Sequence, residues 1–177
     1  MLKGFGVGPI ATALVGLGVV VFASHVRAGG DKIVFPDGFD KGVLYTTVDR
    51  ADNKQYRELY TSQAAVDAAK KGEPMPDGTV VTLIQYRAKL GADGNPEKDA
   101  NGRFIKTDII GYTVMEKRKG WGAEYPDNIR NGEWEYQAFT PAKQPNPNAK
   151  LTACFECHKP LTSAKDFLFS YDRMAGK

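Results

Sequence analysis

Two thiols and an imidazole stand together in the run Cys154-Phe155-Glu156-Cys157-His158. A pair of cysteines two residues apart, with a histidine directly after the second, is the pattern for covalent attachment of a c-type haem: the thiols add across the porphyrin vinyl groups and the imidazole binds the iron. The spacing sets the sulfurs at a separation that suits neighbouring vinyls and carries the histidine under the ring. These are the only cysteines in the chain, and the only other histidine is His25. A disulfide redox pair would want a βαβ context, which is not evident around Cys154. Zinc wants four ligands, and this run supplies three. One covalently attached haem c is therefore the expected cofactor, held by Cys154, Cys157 and His158, with His158 as the metal ligand.

The elements that must position these residues follow from the rest of the chain. Residues 1–28 read as a secretory signal: Lys3 gives a positive start, residues 4–23 are apolar, and Val26-Arg27-Ala28 offers small residues at a cleavage site. Export suits the motif, because c-type haem is attached outside the cytoplasm in bacteria, so the expected location is the periplasm. Loss of this segment removes Lys3 and Arg27 and no acidic residue, which takes the formal net charge from +3 to +1. The basic balance then argues for no nucleic-acid partner, and no membrane span is expected after cleavage. Residues 29–177 suffice for a single domain.

Five strands are expected. Residues 43–48 and 56–61 are rich in Tyr, Thr, Val and Leu; residues 79–86 alternate behind the turn Pro76-Asp77-Gly78; residues 104–116 and 133–139 complete the set. The alternation places Val81, Leu83 and Gln85 on one face and Val80, Thr82, Ile84 and Tyr86 on the other. Residues 62–71 read as a short helix with Ser62 as N-cap, ended by Gly72 and Pro74. Residues 91–102 are polar and read as a hairpin loop, since a calcium loop starting at Asp93 would need glycine where Lys98 stands. Around the haem motif, residues 149–158 and 163–169 are each expected to form a helical turn or more. The fold class is α+β, a single antiparallel sheet of about five strands with short helices and a C-terminal haem-attachment segment.

With these residues in place, the chain resembles the cytochrome P-460 and cytochrome c′-beta family, small periplasmic monohaem proteins with a β-rich fold. The matching stretches run in order: Arg57 with Tyr60 and the following helix; residues 72–76 and then Asp77-Gly78-Thr79-Val80; Asn101-Gly102 with Phe104; Asp108-Ile109-Ile110-Gly111; Gly132-Glu133-Trp134; and residues 154–159. The resemblance assigns Arg57 to the distal side of the haem, where a guanidinium would meet a bound ligand or a propionate or else be a solvated strand arginine. Hydroxylamine-oxidising members carry a haem-linked lysine at the position where this chain has Leu83, and Lys89 lies six residues further on. Leu83 thus looks like the cytochrome c′-beta branch, whose members bind nitric oxide at an open iron.

Three function classes stay in view. The first is a five-coordinate haem protein that binds or processes NO or a related small nitrogen compound. The second is a hydroxylamine-oxidising enzyme, which needs a cross-link not evident here. The third is a six-coordinate electron carrier, for which Met75, Met115 and Met174 are the thioether candidates. Hydroxylamine or NO oxidoreductase activity is left open, as are the redox partner and the oligomeric state, a homodimer included. Trp134 and Phe139 either pack on the macrocycle or fill the core, the commoner role of strand aromatics.

Overall fold

The computed structural model describes Met1 and residues 32–177; the expected signal segment, apart from Met1, lies outside the described residues. Five strands form one sheet in the order of the chain: β1 Val43–Arg50, β2 Gln55–Thr61, β3 Val80–Ala88, β4 Lys106–Lys117 and β5 Trp134–Phe139. Every neighbouring pair is antiparallel. All five expected strands are present, with ends shifted by at most two residues, and the α+β class holds.

Helix α1, Gln63–Lys71, forms where its boundary residues demand it. The Ser62 hydroxyl accepts from the Ala65 amide, Lys70 and Lys71 sit in the last turn, and Gly72 closes the helix at φ 76. Its buried side is Ala65, Val66, Ala68 and Ala69, of which Ala65, Val66 and Ala69 join the core cluster that holds Val81 and Met115. Two shorter helices follow the last strand, α2 Leu151–His158 and α3 Tyr171–Met174. Among the described residues, no helix is long and apolar enough to cross a membrane.

Both faces of the sheet are covered. On one, Val81, Met115, Trp134 and Tyr136 pack with α1, with Phe155 of α2 and with Tyr171 and Met174 of α3. On the other, Ile84, Tyr112, Val114 and Phe139 pack with Ile33, Phe35 and Phe39 of the N-terminal segment. Phe35 meets Tyr112 and Phe139 edge to face, at ring-centroid distances of 5.0 and 5.2 Å. The central strands therefore carry apolar residues on both faces, and β3 divides as its alternation implies.

The polar loop between β3 and β4 uses its carboxylates locally. Asp93 accepts from the Asn95 amide, and Asp99 accepts from the amides of Asn101 and Arg103. These side-chain turns support the hairpin reading. The stretch at 163–169 forms the expected helical turn and no more: the 3-10 turn Ser163–Lys165 is followed by Asp166 and Phe167 in left-handed backbone conformations, φ 44 and 57. The helix stops because the Asp166 carboxylate turns inward to Lys117, Trp134 and the Met75 amide. Met174, in α3, is 2 % exposed within the core.

Candidate functional site

Cys154, Cys157 and His158 occupy positions i, i+3 and i+4 of α2, and so share one side of the helix. The helix is anchored by Phe155, fully buried, whose ring meets Tyr125 at 4.9 Å and Tyr136 at 4.7 Å. Asn131 holds the same turn, donating from Nδ2 to the Phe155 carbonyl at 3.0 Å and to the Tyr136 hydroxyl at 2.9 Å. Neither cysteine is in a disulfide; Cys154 is half-buried and Cys157 exposed. Burial, and then the neighbouring Cys157, push the Cys154 thiol above its ordinary pKa.

His158 closes the helix with both its orientation and its tautomer set. Nδ1 lies 2.6 Å from the Phe167 carbonyl oxygen, so Nδ1 carries the proton and donates it there. Nε2 is left with a free lone pair. The ring lies against Tyr136 and Phe169, each centroid 5.0 Å away. Burial lowers the imidazole pKa, opposed by the bond to Phe167. A neutral ring with one nitrogen fixed is what an axial ligand requires.

These three side chains open onto a cavity of about 290 Å³. Ala153, Cys154, Cys157 and His158 line one wall; Val81 and Leu83 of β3, Thr113 and Met115 of β4 and Tyr136 of β5 line the other. Leu83 thus lines the same cavity as the attachment residues, in the wall across from them. Among the described residues, no lysine lines the cavity; Lys89 is beyond the end of β3, paired with Glu97 at 2.6 Å. A second cavity, about 280 Å³ between Phe39 and Thr82, holds hydroxyls and Asp37 but neither thiol nor imidazole.

Arg57 shares the sheet face of Leu83, because Arg57 pairs with Gln85 and Leu59 with Leu83. It does not line the cavity. Its Nε and Nη2 donate to Gln55 Oε1 at 3.1 and 2.8 Å, and burial, followed by the nearby Arg50, lowers its pKa from the usual guanidinium value. Of the three methionines considered as ligands, Met115 lines the cavity, whereas Met75 and Met174 are core residues. Trp134 and Phe139 are core as well: Trp134 is fully buried with its indole bonded to Asp166, and Phe139 packs on the far face.

Three participants were not foreseen in the sequence. Thr113 stands directly across from Leu83 and accepts a hydrogen bond from Gln85 Nε2 at 3.0 Å, leaving its hydroxyl proton for another acceptor. Strand register is the signal that finds it. Tyr136 flanks His158, and its register with Met115 is the corresponding signal. The Phe167 carbonyl has no side-chain signature at all.

The residues fit a covalently attached haem: two unpaired thiols on one helix face, an imidazole with Nε2 free, and an apolar wall opposite. Among the described residues there is no cluster of three or more His, Cys, Asp or Glu side chains able to hold a metal ion, so a zinc site has no donors to complete it. A search of curated proteins finds no match. The family model Cytochrome P460 matches residues 36–170, from the first turn before β1 to the residue that precedes α3. With that span covering well over half of the sequence, from the sheet through the attachment helix, the chain belongs to the cytochrome P460 family.

Proposed function

We propose that this protein is a periplasmic monohaem c-type cytochrome, attached through Cys154 and Cys157 and ligated by His158, that binds NO or a related small nitrogen compound. The observation that carries the reading is the pairing of an oriented His158 with an opposing wall that holds Leu83, the position at which the resemblance expects a lysine in hydroxylamine-oxidising members. The haem supplies an iron that binds diatomic ligands and exchanges single electrons. The chain does the rest. The Phe167 carbonyl keeps His158 in the Nδ1–H tautomer, and Tyr136 and Phe169 pack against the ring. Leu83, Val81 and Met115 disfavour water, which loses hydrogen bonds on entering an apolar wall, whereas an uncharged diatomic loses little. Thr113 adds one donor within that wall.

The decisive experiment titrates the ferrous protein with NO and assays hydroxylamine turnover with an artificial oxidant. Ready NO binding with little or no turnover is expected. Appreciable turnover, or a peptide mass with haem bonded to a lysine as well as two cysteines, overturns the reading in favour of an enzyme. A second reading, an electron carrier, is favoured by the place of Met115 in the cavity wall. Met115→Leu separates the two: loss of a sharp low-spin α-band supports the carrier, and an unchanged spectrum supports the open site.

A further inference from the structure

Asp166 immediately precedes the residue whose carbonyl holds His158, and groups from three other parts of the fold converge on its carboxylate. The Lys117 ammonium, at the end of β4, lies 2.9 Å from Oδ2 and 3.2 Å from Oδ1. The Trp134 indole donates to Oδ1 at 3.2 Å, and the Met75 amide donates to Oδ2 at 2.7 Å. Asp166 is 7 % exposed and Trp134 is fully buried. A carboxylate at this depth is tolerated only with its charge paired and its oxygens bonded, so this anchorage resists displacement.

The backbone around it is committed to one path. Asp166 and Phe167 both have positive φ, a conformation that side-chain-bearing residues keep only where the surroundings over-determine it. The Phe167 amide donates to the Thr162 carbonyl at 3.0 Å. Its ring is seated on Gly132, where an added Cβ would come within 3.2 Å of it. With the amide, the ring and the preceding side chain all fixed, the Phe167 carbonyl has one direction, toward His158 Nδ1 at 2.6 Å.

We propose that Asp166 is the positioning residue for the axial imidazole: its anchorage to Lys117, Trp134 and Met75 aims the Phe167 carbonyl and so sets the strength of the His158 Nδ1–H···O bond. The inference rests on the reading of His158 as the haem ligand. Asp166 touches neither the imidazole nor the cavity. It acts through the carbonyl, because a stronger bond at Nδ1 makes Nε2 a better donor, which stiffens the iron–histidine bond and favours the ferric state.

The test uses the haem-loaded protein and reads the iron–histidine stretching band by resonance Raman, together with the midpoint potential, which reports the axial field whatever group stands opposite. In Asp166→Asn the band should shift down and the potential up. Trp134→Phe, which keeps the ion pair and loses one hydrogen bond, should shift both in the same direction by less, and it carries the test if Asp166→Asn does not fold. Val114→Ala, a cavity on the opposite face of the sheet, should lower stability and move neither readout. Band and potential unchanged in a folded anchor variant, with stability alone reduced, would show that Asp166 is only structural. His158→Ala should abolish the band; its persistence there would overturn the ligand assignment itself, a result distinguishable from the first.

Discussion

Leu83 and Thr113 are cross-strand partners, and between them they give the cavity wall an apolar patch and a single hydroxyl. Thr113→Val keeps the shape and removes the donor. Stability should fall by about 1 kcal/mol, because Gln85 Nε2 loses its acceptor. The N–O stretch of the ferrous NO complex should rise; an unmoved stretch would show that Thr113 does not reach the bound ligand. The attachment residues answer to a chemical test. Changing Cys154 and Cys157 together to Ala should leave a protein whose haem is extracted by acidified organic solvent, whereas the parent retains it. Extraction from the parent would mean that no thioether forms.

At the scale of elements, the ends of α1 and the close approach of β4 to β5 are the sensitive points. Ser62→Ala removes the only side-chain cap of α1 and should cost about 1 kcal/mol. Gly72→Ala meets no neighbour within 4 Å, yet it forces a Cβ into left-handed backbone and should cost about 1 kcal/mol. Gly111 differs from both. An added Cβ there would stand 2.7 Å from the Phe139 carbonyl oxygen, so the strands must part, at about 3 kcal/mol. Urea denaturation of the three variants should reproduce that order. Equal losses at 72 and 111 would mean that β4 can yield at Gly111.

At the scale of the whole molecule, the far face of the sheet is tied to the N-terminal segment by a buried polar group. Glu135 is fully buried, accepts from Tyr125 at 2.8 Å and pairs with Lys32, which also pairs with Glu124. Burial raises its pKa above the ordinary 4.5, against the lowering effects of Tyr125 and Lys32. The folded state therefore holds this proton more tightly than the unfolded state. The group's contribution to stability is complete below 4.5 and is lost as pH rises through the folded value. Glu135→Gln cannot ionise, so its unfolding free energy should improve relative to the parent as pH rises above 4.5. A difference independent of pH would show that the carboxylate is fully compensated by its partners.

What the sequence determined by itself is local. The C-x-x-C-H run places three reactive groups on one turn of helix because the helical repeat does so in any context, and the caps of α1 are read from Ser62 and Gly72 alone. The strands were legible for the same reason, since turn residues and β-branched runs act on their chain neighbours. What only the tertiary structure decided needs partners distant in sequence. Thr113 reaches the cavity through strand register, and Trp134 is an anchor of Asp166 rather than a wall of the cavity because it lies 32 residues away in sequence and within hydrogen-bond reach in space. The helical turn expected at 163–169 forms but stops at Lys165 on that contact: local propensity is worth fractions of a kcal/mol per residue, roughly, and a buried carboxylate without its partners costs several. The carbonyl that orients His158 is a backbone group common to every residue type, so only the folded path of the chain could single out Phe167.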